Sequence, residues 1–181
     1  MIYKEEFKIG LKDVGIENEL KNKSILEYLE NIAAYHSDLV GYGVHTTNET
    51  NVTWILLAWK IKVIKRPKYG QTLNIHTWSK HIVKCYAYRD FKIYDENDDL
   101  CVIATSKWLL IDIKSGRIAK IEKEMIDKYK SEIDKSVFLE KEIDKLSIPD
   151  DYTKSIKYKV QRRDIDVIRS YAQLILFRFG L

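Results

Sequence analysis

The sequence is poor in the residues that break or tether a chain. Two prolines and seven glycines in 181 residues argue against disorder and against a long flexible linker. The two cysteines, Cys85 and Cys101, are too few for a disulfide framework and do not stand at a zinc-type spacing. Unpaired thiols point to a reducing cytoplasm. No run of about 18 apolar residues occurs, so no membrane span is expected. The amino terminus, MIYKEEFKIG, lacks the apolar centre of a signal peptide. An excess of charge of one sign is also missing. A net charge of +4 does not demand nucleic acid, and the aromatic-basic signature of an RNA-binding sheet is missing.

What is present suits a folded domain. An apolar content of 45% can fill a core, 32% charged residues can solvate it, and the length fits one ordinary domain or two small ones. KSILEYLENIAAYHSDLVGYG reads as a long helix. Ser24, followed three residues later by Glu27, forms a capping box. Ile25, Leu29, Ile32, Ala33, His36 and Val40 make one apolar stripe, and Gly41 and Gly43 stop it. YKEEFKIGLK before it reads as a short strand. From Asn51 to Ile113 the pattern is that of strands: VTWILLAWKIKVI, QTLNIHTWSKHI, KCYAYRDFKIY and LCVIATSKWLLIDI, with turns at RPKYG, DENDD and KSGR. In the first of these, Ile55, Leu57, Trp59, Ile61 and Val63 alternate with Trp54, Leu56, Ala58, Lys60 and Lys62. The charged segment EKEMIDKYKSEIDKSVFLEKEIDKL is expected as a loosely packed, helix-friendly connector, and KSIKYKV as a further strand.

A strand, one long helix and a run of long antiparallel strands can bury the helix stripe most economically if the curved sheet wraps the helix. This predicts an α+β chain of the hotdog fold. Residues 1–133 have the length of one such domain, 134–152 would connect, and 153–181 would be the incomplete start of a second. A lone hotdog leaves an open sheet edge, which a second hotdog or a homodimer would cover.

The same residues resemble the acyl-acyl-carrier-protein (acyl-ACP) thioesterases of plants and bacteria, which carry two hotdog domains in tandem. KRPKYGQTLNIHTW is similar to that family's strand-turn-strand, and ATSKWLLIDIKSGR to its later strand and turn. The resemblance implies hydrolysis of the thioester of an acylated carrier protein, releasing free fatty acid in fatty acid biosynthesis, with no metal or other cofactor. Its catalytic motif, D-x-D-V-N-x-H-V-N-N, lies in the second hotdog. DIDVI matches the opening and puts Asp166 on the acidic catalytic position, whereas Ile168 and Ser170 stand where Asn and His belong. One permissible codon choice for RSYAQLILFRFG, read one base on, gives a helix start that contains His and Asn. The tail is therefore expected to reflect a frameshifted or truncated gene, leaving the chain itself with little activity.

The resemblance assigns acyl binding to the first domain and chemistry to the second. Asp13, ahead of the first helix, has no His or paired Asn beside it. An Asp at position 166 could equally cap a helix. Trp54, Leu56, Ala58, Tyr86 and Tyr88 could line an acyl tunnel on the sheet face beside the helix, or simply pack as core. His36 reads as a core or dimer-facing histidine, and Cys85 and Cys101 as buried thiols. Lys60, Lys62, Lys65, Arg66 and Lys68 could receive the acidic carrier protein, or form a solvated strand end. Two rivals remain open: a non-catalytic acyl-binding or interaction module, and a single-hotdog acyl-CoA thioesterase acting as a homodimer.

Overall fold

The computed structural model describes residues 1–140, 142–144, 151, 157, 159, 161 and 162. The chain divides into two compact units, Met1–Ile143 and Asp144–Leu181, and the architecture below is that of the first. Strand β1 (Tyr3–Lys8) leads to helix α1 (Asn22–Leu39). After the short helix α2 (Thr47–Thr50) come strands β2 (Val52–Val63), β3 (Thr72–Val83), β4 (Tyr86–Tyr94) and β5 (Leu100–Asp112), then helix α3 (Lys123–Tyr129). The five strands form one antiparallel sheet in the order β1-β3-β4-β5-β2. This is the hotdog arrangement, and β1 and β2 are its edges.

The stripe of α1 is buried as its spacing predicts. Ile25, Leu29 and Ile32 are sealed against Leu73, Ile75, Phe91, Ile93, Val102 and Ala104 of the sheet. Each side chain so buried contributes roughly 1.5–3 kcal/mol. The helix start differs from expectation. Its N-cap is Lys21, with no side-chain cap, and Ser24 is turned inward and buried. Arg66 does not cap the free amides but ties down the chain entering the helix, donating from Nη1 to the carbonyl of Leu20 at 2.7 Å and from Nη2 to Asn22 Oδ1 at 2.7 Å. At the other end the chain doubles back so tightly that a Cβ on Gly43 would lie 2.2 Å from Asp38 Oδ1, a position only glycine can occupy.

Two irregularities decide which side chains face the helix. Between Leu56 and Ala58 the β2–β5 register shifts by one residue, so Leu56 lies opposite Trp108 and Ala58 opposite Lys107. Leu57 is the extra residue. Because side chains alternate along a strand, this bulge exchanges the two faces of β2. Trp54 and Leu56 before it, and Trp59, Ile61 and Val63 after it, share the inner face. A second shift, between Ser79 and Ile82, does the same for β3.

The segment expected as a loose connector is packed. Met125 and Tyr129 of α3 are buried with Leu110 and Ile121, and the chain then rounds the part of β3 that β1 does not cover. Glu132 N donates to the carbonyl of Ser79 at 2.9 Å. Residues 135–140 and Glu142 lie across the outer face of the sheet. There Trp78 Nε1 donates to the carbonyl of Lys135 at 3.1 Å, Lys80 Nζ to that of Glu140 at 3.3 Å, and Tyr88 OH to Glu142 Oε2 at 3.1 Å. The outer face carries Trp78, Lys80, Tyr88 and Asp90, all buried, and these groups need a cover that charged, helix-compatible sequence does not announce. No helix among the described residues is long and apolar enough to cross a membrane.

Candidate functional site

The inner face is apolar at both ends and polar in the middle. β4 presents Ala87, Arg89, Phe91 and Ile93 inward, so strand alternation places a guanidinium beneath the helix. Arg89 Nη1 donates to His36 Nδ1 at 2.8 Å and to Thr77 Oγ1 at 3.2 Å, and its guanidinium lies 5.7 Å from the centre of the Tyr129 ring. No carboxylate pairs with it among the described residues. Burial pushes Arg89 down to about 10, still a cation at neutral pH.

His36 is wholly buried. Burial first, and the neighbouring Arg89 charge second, push it down to about 3. It is therefore neutral. Because Arg89 can only donate, Nδ1 accepts, the ring proton sits on Nε2, and Nε2 has no hydrogen-bond partner among the described residues. The Tyr3 ring stacks on it at 5.6 Å and the Tyr129 ring meets it edge-on at 5.7 Å. Tyr129 extends the polar band: its hydroxyl donates to Ser37 Oγ at 2.9 Å and accepts from Trp54 Nε1 at 3.1 Å. Ser79 and Ser131 hydroxyls lie 2.8 Å apart nearby.

The band can bind and orient, but it is not built for acid–base catalysis. His36 has no carboxylate to raise it into the working range, and Asp90, next to Arg89 in sequence, faces the other way. There Asp90 Oδ1 accepts from Thr105 Oγ1 at 2.6 Å, Oδ2 from Val137 N at 3.0 Å, and Lys80 Nζ stands 4.0 Å away. Burial raises its pKa against those three partners. Asp13, before α1, is committed to the turn it sits in, accepting from Gly10 N at 2.8 Å and Tyr28 OH at 2.7 Å. Among the described residues no cluster of His, Cys, Asp and Glu could hold a metal ion.

The five residues expected to line one tunnel face do not share a face. Trp54 and Leu56 are on the inner side, in register with Leu110 and Trp108. Ala58, Tyr86 and Tyr88 are on the outer side, because the bulge at Leu57 turns Ala58 over and β4 alternation puts both tyrosines opposite Arg89 and Phe91. Lys107 Nζ lies 4.2 Å above the Tyr86 ring, and the Tyr88 ring stacks on His81 at 4.6 Å. Asp166 lies outside the described residues. Cys101 is buried as expected, while Cys85 is only half-buried. Arg89, Ser37 and Tyr129 were not singled out from sequence. Arg89 alone gave a signal, a charge on the inward phase of an otherwise apolar strand.

The basic cluster is also largely dismantled. Lys65 Nζ pairs with Asp95 at 2.7 Å and Asp99 at 2.8 Å, Lys60 with Glu140 at 2.9 Å, and Arg66 holds the α1 start. Lys62 and Lys68 are left exposed.

Comparison with known proteins agrees with this architecture. The family model of the acyl-ACP thioesterase N-terminal domain matches residues 1–129. The oleoyl-acyl carrier protein thioesterase of Coriandrum sativum, a chloroplastic protein, is 26% identical over 162 residues, covering 86% of this chain and 42% of that protein. Oleoyl-acyl carrier protein thioesterase 1 of Arabidopsis thaliana, also chloroplastic, is 24% identical, covering 86% and 43%. The chain thus spans about two fifths of the length of these relatives. Among solved structures, an acyl-ACP thioesterase from Bacteroides thetaiotaomicron superposes with a TM-score of 0.84 at 19% identity, covering 99% of this chain and 72% of that one. The 12:0-ACP thioesterase of Umbellularia californica gives 0.82 at 19%, covering 98% and 73%. At that identity the structural likeness speaks for the fold. Through residues 1–129, this chain belongs to the acyl-ACP thioesterase family and carries its N-terminal hotdog domain.

Proposed function

We propose that the chain serves hydrolysis of the thioester of acyl-acyl-carrier-protein, releasing free fatty acid, and that the domain described above holds the acyl chain between α1 and the inner sheet face. The observation that carries this reading is the family match over residues 1–129. Trp54 and Leu56 are the proposed acyl contacts from β2. The geometry around α1 supports a binding rather than a catalytic role: its start has neither an acid nor a His–Asn pair free for chemistry, and its only buried His is neutral and tied to Arg89.

The chemistry is assigned to the second domain, with Asp166 orienting or deprotonating water. A helix start in that domain would stabilise the oxyanion with free backbone amides. Among the described residues β2 is an edge of the sheet, and a second copy of the chain could pair there. Two unpaired thiols, Cys85 and Cys101, suit a reducing compartment such as the cytoplasm.

The test is to assay the 181-residue chain on oleoyl- and palmitoyl-acyl-carrier-protein for both binding and release of fatty acid. It should bind acyl substrate and turn it over slowly, since Ile168 and Ser170 replace the motif's Asn and His. Rapid turnover that a substitution within residues 1–133 abolishes, and that Asp166→Asn leaves intact, would contradict the division of labour.

A further inference from the structure

The sequence cluster offered for an acidic partner has spent most of its charge inside the fold, yet free cations occur elsewhere. Lys114, Arg117 and Lys123 are exposed and enter no ion pair among the described residues. Lys120 makes only an exposed contact with Glu122 at 3.3 Å, a kind of pair that contributes little. They belong to the turn after β5, the stretch leading into α3 and, for Lys123, the first residue of α3.

The turn is closed by its own hydrogen bonds and presents apolar side chains at its centre. Asp112 N donates to the carbonyl of Arg117 and Ala119 N to that of Leu110, each at 2.9 Å, and Ile111 bridges Ile118 across it. Asp112 Oδ1 accepts from Ser115 N at 2.7 Å and Ser115 Oγ at 2.8 Å. Those donors hold the Asp112 carboxyl below its ordinary range, so that acid is engaged by the turn itself, and the other acid of the stretch, Glu122, faces Lys120. Gly116, at φ +67°, supplies the left-handed residue the reversal requires. Strand alternation puts Ile113 on the same outer face as Ile111, and Ile118 follows from the bridge. Ile113 is 39% exposed and Ile118 58% exposed, beyond the part of the outer face that residues 135–140 cover.

We propose that this turn, Ile113 to Lys123, is the docking surface for an acidic protein, with Ile113 and Ile118 as apolar anchors and Lys114, Arg117, Lys120 and Lys123 as the cationic rim. Resting on the function proposed above, it identifies that protein as the carrier protein. An apolar centre with a charged rim is the usual anatomy of a specific interface, and a turn already fixed by its own hydrogen bonds loses little freedom on binding. The surface also continues into the inner site. Ala119 and Ile121 pack with Met125 and Tyr129 against Trp54, so a partner seated on the turn stands at the end of the sheet where the proposed acyl contacts lie.

The test is calorimetric titration of the 181-residue chain with a carrier protein bearing a palmityl thioether, and with the same palmityl group on free pantetheine. Lys114→Glu/Arg117→Glu should weaken carrier-protein binding about tenfold or more at low salt, with the loss shrinking as salt rises. Ile118→Ser should weaken it at every salt concentration. Lys62→Glu/Lys68→Glu should change it by less than about twofold, and no variant should alter binding of palmityl-pantetheine. Carrier-protein binding that the turn variants leave unchanged, or that both charge-reversal pairs weaken equally, overturns the docking surface and leaves the acyl-binding function standing. Failure of the unsubstituted chain to bind either ligand overturns both. Binding to vesicles of anionic lipid, lost in the turn variants while the carrier protein is ignored, overturns the proposal in favour of a membrane surface.

Discussion

Arg89 and Asp90 are neighbours in sequence and opposites in placement. Arg89 lies under α1 on the inner face, and Asp90 lies under residues 135–140 on the outer one. Both are buried, and alternation along β4 keeps them from neutralising each other. Each therefore needs its own shell. The outer shell is complete: a threonine hydroxyl, a backbone amide and Lys80 surround the carboxylate. The inner shell, among the described residues, is short of acceptors, with a neutral imidazole and one hydroxyl for a guanidinium. A sheet can thus hold one face as a closed structural joint and keep the other under-satisfied, in the place where the acyl ligand is proposed to lie.

The largest effect should come from opening the outer joint. Asp90→Ala strands Val137 N and leaves the buried Lys80 with the Glu140 carbonyl but no carboxylate, and removing one partner of a buried charged network costs about 3–5 kcal/mol. Hydrogen exchange should then accelerate in residues 132–142 before it does in β3 and β4. Retention of full protection there would show that the outer cover is held by apolar contact alone.

Acid should separate the two faces by sign. His36 is depressed to about 3 from an ordinary value near 6.5, so the unfolded chain takes up a proton that the folded chain refuses. Its contribution is complete above about pH 6.5 and is lost as pH falls toward 3, at up to about 1.4 kcal/mol per pH unit. Asp90, with its pKa raised, works the other way: the folded state gains on protonation, so stability falls as pH rises through its titration. Urea denaturation of wild type and His36→Gln from pH 7 to 4.5 should give a steeper acid loss in wild type. Parallel curves would mean that His36 is protonated in the fold.

The smallest effect should be at the rim. Lys60→Ala breaks a half-exposed pair with Glu140, a type of contact worth about 0–1 kcal/mol. Its thermal midpoint should stay close to that of the wild type. A large drop would make Glu140, rather than Asp90, the clasp of the outer cover.

The parts of the fold legible in the sequence are those fixed by local period. The stripe from Ile25 to His36 and the strand alternation from Val52 to Asp112 define the helix, the sheet and its antiparallel order. What was not legible depends on partners distant in the chain. Nothing in VTWILLAWKIKVI marks Leu57 as the extra residue, because apolar side chains on both sides of it make either register look acceptable. Ala58 consequently changes face. Lys65 and Arg66 look free until Asp95, Asp99 and the Leu20 carbonyl are brought beside them. The connector looks soluble because much of its anchoring is through backbone groups, the carbonyls of Lys135 and Glu140 and the amides of Glu132 and Val137, which no side-chain pattern reveals. In the candidate site, apolar alternation singled out Trp54 and Leu56 but grouped them with Ala58, whereas the Arg89–His36–Tyr129 band joins β4, α1 and α3 and exists only once they are packed.

The central claim, that the acyl chain is held on the inner face, can be read directly from the tryptophans. Trp54 is inner and bonded to Tyr129, while Trp78 is outer and bonded to the carbonyl of Lys135. With fluorine-labelled tryptophan, NMR titration of the 181-residue chain with a palmityl-thioether carrier protein should shift the Trp54 resonance and leave that of Trp78 in place. A shift of Trp78 with Trp54 unmoved would contradict the account.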